Sequence, residues 1–252
     1  MEVAYMKLEL KAIHKEYPTT KALDDFSIEM EEGVYGLLGP NGSGKSTLIS
    51  ILTGNLKADS GEVIWNGKDV AELGADFYSL IGYVPQQLAV YPSFTTRQYY
   101  TYIGALKGVE KGLLQQQIAQ ILELVELENV ADHKIATYSE GMKRRALIGQ
   151  ALLGNPQILL FDEPTAGLDP GQRIAVREII KEQAKERIVL VATHIVADVE
   201  TIARELIFVR KGKLIAHGSP QEILSMTGQN PQDSIEEAYL YFFPEHVKGF
   251  KA

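Results

Sequence analysis

Nine residues, Gly39-Pro40-Asn41-Gly42-Ser43-Gly44-Lys45-Ser46-Thr47, lie between the apolar run Val34 to Leu38 and the helix-like stretch Leu48-Ile49-Ser50-Ile51-Leu52. An apolar run, a glycine-rich turn and a helix in that order build a phosphate-binding loop. The glycines let the backbone wrap a polyphosphate, and the helix behind them aims free N–H groups and a partial positive charge at it. Lys45 adds a mobile full charge, and Ser46 is left to hold Mg²⁺. A chain built around such a loop needs a parallel strand before it and an α/β core around it, so residues 39–47 are all candidate nucleotide ligands.

Bulk properties agree with one large α/β domain carrying subdomains. The chain has 252 residues, 45% of them apolar, which is enough to bury a full core. Its formal net charge of -8 gives no general attraction to nucleic acid or anionic lipid. The absence of cysteine excludes disulfides, Fe–S ligation and Cys-based zinc sites, and fits a reducing compartment. No apolar stretch approaches the ~18 to 20 residues of a membrane-spanning helix, and Met1 to Tyr5 has no basic segment followed by an apolar one. A cytoplasmic chain that does not itself span a membrane is expected.

Along the chain, Leu8, Leu10 and Ile13 and then Phe26 to Met30 alternate like half-buried strands, and Gly61 to Gly67 reads as a short strand ending in a turn. Continuous apolar runs at Val34 to Leu38, Ile158 to Phe161 and Ile188 to Ala192 predict parallel strands covered on both faces. Between Thr95 and Gly154 the period becomes helical: Leu114, Ile118, Ile121, Leu122 and Val125 share a face, and Met142 to Leu153 continues as a second helix. Glu205 to Val209 and Leu214 to Gly218 read as a hairpin joined through Arg210 to Lys213. Helices around Pro220 to Met226 and Ser234 to Phe243 follow it.

The run Ile158-Leu159-Leu160-Phe161 ends in Asp162-Glu163-Pro164, a buried strand presenting two adjacent carboxylates. Side chains alternate along a strand, so the two are expected to do different work. In P-loop enzymes the first steadies Mg²⁺, here Asp162, and the second takes a proton from the attacking water, here Glu163.

Seven elements in order now carry a resemblance. Tyr17, Gly39 to Thr47, Gln86 in Gly82-Tyr83-Val84-Pro85-Gln86, Tyr138-Ser139-Glu140-Gly141-Met142, Phe161-Asp162-Glu163, Ala166-Gly167-Leu168-Asp169 and His194 are arranged as in the ATP-binding cassette of ABC transporters. The match runs from about Leu8 to Ser219. It implies a P-loop NTPase core with a mostly parallel sheet, an N-terminal antiparallel β subdomain and an inserted α-helical subdomain. As one cassette, residues 1–92 and 155–219 would form the β subdomain and core, 93–154 the helical signature subdomain and 220–252 a helical tail.

The resemblance also implies roles. Tyr17 would stack on adenine, although packing also explains an aromatic there. Gln86 would reach Mg²⁺ and the attacking water, and His194 would contact the γ-phosphate. Asp169 would meet an opposite subunit, and Ser139 and Gly141 would present a helix N-terminus to the nucleotide of a second cassette. Two positions depart from the family's usual L-S-G-G-Q, Glu140 for a glycine and Met142 for the glutamine. A carboxylate about 4 Å from a phosphate charge would cost on the order of 4 kcal/mol at an effective dielectric of roughly 20. Glu140 is therefore expected to point away, with Lys143, Arg144 and Arg145 as candidates to neutralise it.

The aromatics Tyr91, Phe94, Tyr99, Tyr100 and Tyr102 fit either the groove that receives a permease helix or packing inside the helical subdomain. The stretch Ser234 to Tyr241 is similar to the ending of cassettes that serve export-type, ABC-2-like permeases. The expected protein is thus an ATP- and Mg²⁺-dependent motor subunit, peripheral on the inner face of the cell membrane. Its partners would be a separate integral membrane permease and a second cassette in a homodimer, with no nucleic acid. A soluble non-transport ABC ATPase and an ATP-holding regulatory subunit are the alternatives.

Overall fold

In the computed structural model, residues 6–230 and 233–244 are described. The first half of the chain forms β1 (Leu8–Tyr17), β2 (Thr20–Met30), β3 (Gly33–Leu38), α1 (Lys45–Leu52), β4 (Ser60–Trp65), β5 (Lys68–Asp69), α2 (Val70–Leu73), α3 (Ala75–Ser79), β6 (Ile81–Val84), α4 (Thr96–Leu106) and α5 (Lys111–Leu124). The second half adds α6 (Glu140–Leu152), β7 (Ile158–Asp162), α7 (Pro170–Gln183), β8 (Ile188–Thr193), β9 (Glu205–Arg210), β10 (Lys213–Gly218), α8 (Pro220–Met226) and α9 (Ile235–Phe242).

The three continuous apolar runs are β3, β7 and β8, adjacent and parallel in a six-stranded sheet of order β10-β9-β3-β8-β7-β6. Their side chains alternate between two cores. Leu159, Phe161, Val189 and Val191 face a core that includes the helical block and α7, whereas Ile158, Leu160, Ile188 and Leu190 face one shared with α1 and the antiparallel sheet. Burial on both faces is why these strands read as unbroken apolar runs rather than as alternation. The hairpin β9–β10 closes the sheet edge, with β9 parallel to β3 and β10 antiparallel to β9. Its turn is Lys211-Gly212, with φ of 49° and 79°. Two successive positive φ values are the hairpin turn that matches strand twist.

The second sheet is antiparallel, of order β2-β1-β4-β5. Leu8, Leu10 and Ile13 are all buried, yet Leu10 and Ile13 are an odd number of residues apart. A bulge resolves this: pairing shifts between Leu10 and Ile13, and Ala12 takes φ 50°. Gly61 to Gly67 becomes β4 and the turn Asn66-Gly67.

In the helical block, Leu114, Ile118, Ile121 and Leu122 are the buried face of α5, with Val125 buried just beyond its end. The helix expected from Met142 begins earlier, at Glu140, because the Ser139 side chain caps it by accepting from the Met142 amide. Helix α4, which periodicity did not single out, starts at a capping box made by Thr95 and Gln98. It divides the aromatics: Tyr99 and Tyr100 are buried, whereas Tyr91 and Tyr102 are exposed and meet edge to face at 5.7 Å. The fully buried Tyr100 hydroxyl donates to the Ala146 carbonyl of α6 at 3.0 Å, and Gly149 makes room for it.

A Cβ at Gly149 would collide with that hydroxyl and lie 2.8 Å from Ile121 Cγ2. Overpacking costs about 1–3 kcal/mol, against a helix-propensity gain of at most about 1. Gly149→Ala is therefore expected to destabilise the chain by about 1–2 kcal/mol in urea unfolding. Adding Tyr100→Phe should recover part of the loss, because the nearest obstacle is then gone while the ring Cζ and Ile121 Cγ2 remain.

Candidate active site

Strand β3 ends at Leu38 and the chain turns through 39–44 into α1. Gly44 is the N-cap of α1 with φ 115°, and it carries no side chain to cap the helix. The amides of the first turn therefore face outward without an intrahelical partner. Sterics alone account for two of the glycines: a Cβ on Gly39 would collide with the Val209 carbonyl, and one on Gly44 with the Ala22 carbonyl. Gly42 has open space but needs its φ of 78°. The Gly212 turn pins the loop from behind, donating to the Ser43 carbonyl at 2.8 Å while its own carbonyl accepts from the Asp24 amide at 3.0 Å.

A cavity of about 460 Å³ opens over this helix end. Tyr17, Asn41, Gly42, Gly44, Lys45, Ser46, Thr47, Gln86, Asp162 and Glu163 all line it, as do Thr20 and Ala22. Gly39, Pro40 and Ser43 shape the loop without lining the cavity, and Ser139, Gly141, Asp169 and His194 lie outside it. Lys45 is almost fully buried, its Nζ donating to the carbonyls of Gly39 at 2.6 Å and Pro40 at 3.2 Å. Burial pushes the ammonium below its usual pKa, against the opposing pull of Glu163 and Asp162.

Asp162 and Glu163 line the same cavity, which simple strand alternation does not allow. The reason is local: Glu163 leaves the strand with φ 52°, while its amide still donates to the Ala192 carbonyl at 2.8 Å. This left-handed backbone swings the second carboxylate to the side of the first. The two differ in their partners instead. Asp162 Oδ2 accepts from the Ser46 hydroxyl at 3.2 Å, and burial raises its carboxyl pKa, a shift that the Ser46 bond opposes and the neighbouring Glu163 reinforces. Glu163 Oε2 accepts from Thr193 Oγ1 at 3.0 Å, and Oε1 lies 2.8 Å from His194 Nδ1. His194 thus joins the site through Glu163.

The oxygen donors fit Mg²⁺. Ser46 and Asp162 touch each other, Gln86 stands exposed at the same cavity, and no cluster of three or more His, Asp or Glu ligands occurs among the described residues. A site of one carboxylate and one hydroxyl, completed by substrate phosphates and water, is the hard-cation pattern of Mg²⁺ rather than an all-protein cage.

Elsewhere the geometry adds local partners, and for the basic run it corrects the expectation. Asp169 caps α7 by accepting from the Gln172 amide at 2.9 Å. The basic run after Gly141 does not pair with Glu140: Arg144 donates to the carbonyls of Pro85 and Gln86, and Arg145 binds the Glu126 carboxylate and the Val125 carbonyl. Glu140 instead lies over Gly167, where a Cβ would come within 2.5 Å of its Oε1, and the Gln172 amide covers Gly141 in the same way. Thr193 was not foreseen, and Arg144 was named only as a candidate counter-charge for Glu140. Thr193 had a signal, as the polar end of an apolar strand next to His194. The bonds from Arg144 to the Pro85 and Gln86 carbonyls had none, since nothing in a Lys-Arg-Arg run names backbone partners almost sixty residues away.

A helix N-terminus at the carboxyl end of a parallel strand, with a buried strand-end carboxylate against its serine, defines a P-loop nucleotide-binding domain. Residues 23–166 match the family model for ABC transporters. The chain is 35% identical over 240 residues to the linearmycin resistance ATP-binding protein LnrL of Bacillus subtilis, covering 92% of this chain and 77% of that protein. It is 31% identical to the Nod factor export ATP-binding protein I of Cupriavidus pinatubonensis over 86% of this chain and 67% of that one. A solved ATP-binding subunit of an ABC transporter superposes with a TM-score of 0.83 at 27% identity, over 93% and 98% of the two chains. A dimeric ATP-binding cassette in a post-hydrolysis state with ADP and Pi gives 0.75 at 26%, over 84% and 98%. The chain belongs to the ABC transporter ATP-binding family and is an ABC-type ATPase.

A carboxyl whose pKa is raised by folding contributes stability only at low pH, and that contribution is lost as pH rises through the folded-state value. Ionised Asp162 therefore burdens the nucleotide-free site at neutral pH. Asp162→Asn is expected to raise the Tm of the nucleotide-free protein at pH 7 by about 2–4 °C, the scale of 1 kcal/mol in a chain of this size. Thermal unfolding with and without Mg·ATP checks the second half of the prediction, that the variant gains much less than wild type from the ligand.

Proposed function

We propose that this chain is the motor subunit of an ABC exporter, in which ATP closes two cassettes head to tail and hydrolysis reopens them to drive a separate membrane permease. The observation that carries this reading is the cavity in which the α1 N-terminus, Lys45, Asp162 and Glu163 converge. ATP phosphates would lie against the first-turn amides, with Lys45 turning from the Gly39 and Pro40 carbonyls to meet them. Tyr17, about two-fifths exposed at the cavity, offers a ring face to adenine. Mg²⁺ held by Ser46, Asp162 and Gln86 would offset phosphate charge. Glu163, fixed by Thr193 and His194, is the base for the attacking water.

Ser139 and Gly141 begin α6 away from this cavity, which supports their use on the nucleotide of a second copy. The exposed Tyr91, stacked on Phe94, and Tyr102, edge to face with both, form the surface offered to a permease helix. No helix among the described residues is long and apolar enough to cross a membrane. The resistance and export relatives support an export direction, and work on a membrane permease would place the chain on the inner face of the cell membrane.

Glu163→Gln should leave ATP affinity near wild type and slow turnover by ~10² or more, the scale of a lost general base. Sedimentation of that variant should show a dimer with ATP and a monomer without it. Near-normal turnover removes Glu163 from the mechanism, and a monomer under both conditions removes the homodimer.

Because the Glu140 carboxylate rests over Gly167 of its own chain, Glu140→Gly should change turnover less than tenfold. Steady-state ATPase assays decide this. A large activation, with wild type nearly inert, would favour an ATP-holding regulatory subunit.

A further inference from the structure

Arg144 is a buried guanidinium, only 3% exposed, about one turn into α6. Its Nη1 donates to the carbonyls of Pro85 at 3.2 Å and Gln86 at 3.1 Å. These carbonyls belong to the loop that follows β6 and carries Gln86 to the cavity. Two further ties run along the same seam. Gln150 Nε2 donates to the Tyr83 carbonyl at 2.8 Å, and Gly82 packs so closely on the α6 backbone that a Cβ would collide with the Ala151 carbonyl. The helix that opens with Ser139, Glu140 and Gly141 is thus fastened to the strand and loop that present Gln86.

Stability does not account for this arginine. Burying a guanidinium costs several kcal/mol, and replacing such a charge by an apolar residue is often neutral or stabilising. Its Nε finds no partner, so the pairing is incomplete. Burial lowers the pKa of the group, against the pull of two carboxylates, Glu140 at the start of α6 and Glu163 in the cavity. The cation therefore stands in the fields of both the helix start and the hydrolytic centre.

We propose that Arg144 is a positioning residue that makes the Gln86 loop and the Ser139–Gly141 end of α6 move as one body, so that occupation of the nucleotide cavity is transmitted to the surface meant for a second cassette. The proposal rests on the motor-subunit reading and deepens it.

The test compares wild type, Arg144→Met and Arg144→Lys as full chains, by ATPase kinetics and by amide hydrogen exchange. Exchange is read with and without Mg·ATP, at a dilution where the protein sediments as a monomer. Arg144→Met should keep KM within about twofold and lose tenfold or more in kcat. Mg·ATP should slow exchange at residues 86–87 in both proteins but at 139–142 only in wild type. Arg144→Lys, which keeps a donor and the charge, should recover part of both effects, and it carries the test alone if Arg144→Met does not fold. Unchanged kcat in the variants, a parallel rise in KM, or wild-type amides at 139–142 that ignore Mg·ATP would each overturn the proposal. The motor reading fails separately, through normal turnover of Glu163→Gln.

Discussion

The unpaired amides at the start of α1 are the constraint around which the rest of the chain is organised. A helix begun by a glycine with φ 115° has no side chain to satisfy its first turn. Such an end is tolerable at the surface and useful only if an anion comes to it. Holding it open takes several parts of the chain. Strand β3 delivers the loop, the Ala22 and Val209 carbonyls press on Gly44 and Gly39, and the Gly212 turn ties Ser43 to Asp24. Nucleotide binding is in this sense a property of both sheets together.

The hydrolytic half shows stability given up for chemistry. Lys45 and Asp162 are both buried and both have pKa values moved towards the neutral form. Glu163 adds a backbone conformation that costs a non-glycine residue on the order of 1 kcal/mol. On the proposed function, a polyanion and a divalent cation would offset the burial of Lys45 and Asp162, so the ligand would supply what the empty fold lacks.

Much of this was legible in the residues. The apolar runs specified the parallel strands because burial on both faces leaves no polar positions, and the glycine spacing located the loop because few other residues fit it. Tyr17, Gln86, Asp162 and Glu163, all singled out from the sequence, stand at one cavity. What was not legible depends on backbone detail and long-range partners. No pattern in Phe161-Asp162-Glu163 reveals that the chain turns left-handed at Glu163 and sets both carboxylates on one side. The Lys143 to Arg145 run looked like a counter-charge for Glu140, but α6 aims Arg144 inward, towards carbonyls that a counter-charge reading cannot anticipate. Asp169 satisfies the first turn of α7, a local need as easily read from its Pro170 neighbour as any interface role.

The strand order has a further consequence, for how the molecule comes into being. Strand β3, which carries the loop, lies between β8 and β9, both of which follow the helical block in the chain. During synthesis from the N-terminus, β1, β2 and β4 can pair with one another early, whereas β3 waits with both edges open until residues 188–210 have emerged. The nascent chain must shelter an apolar strand for most of its translation, and it acquires the capacity to hold nucleotide among its last steps. Truncation before β9 would leave not a weaker ATPase but an exposed edge prepared to pair with a neighbouring chain.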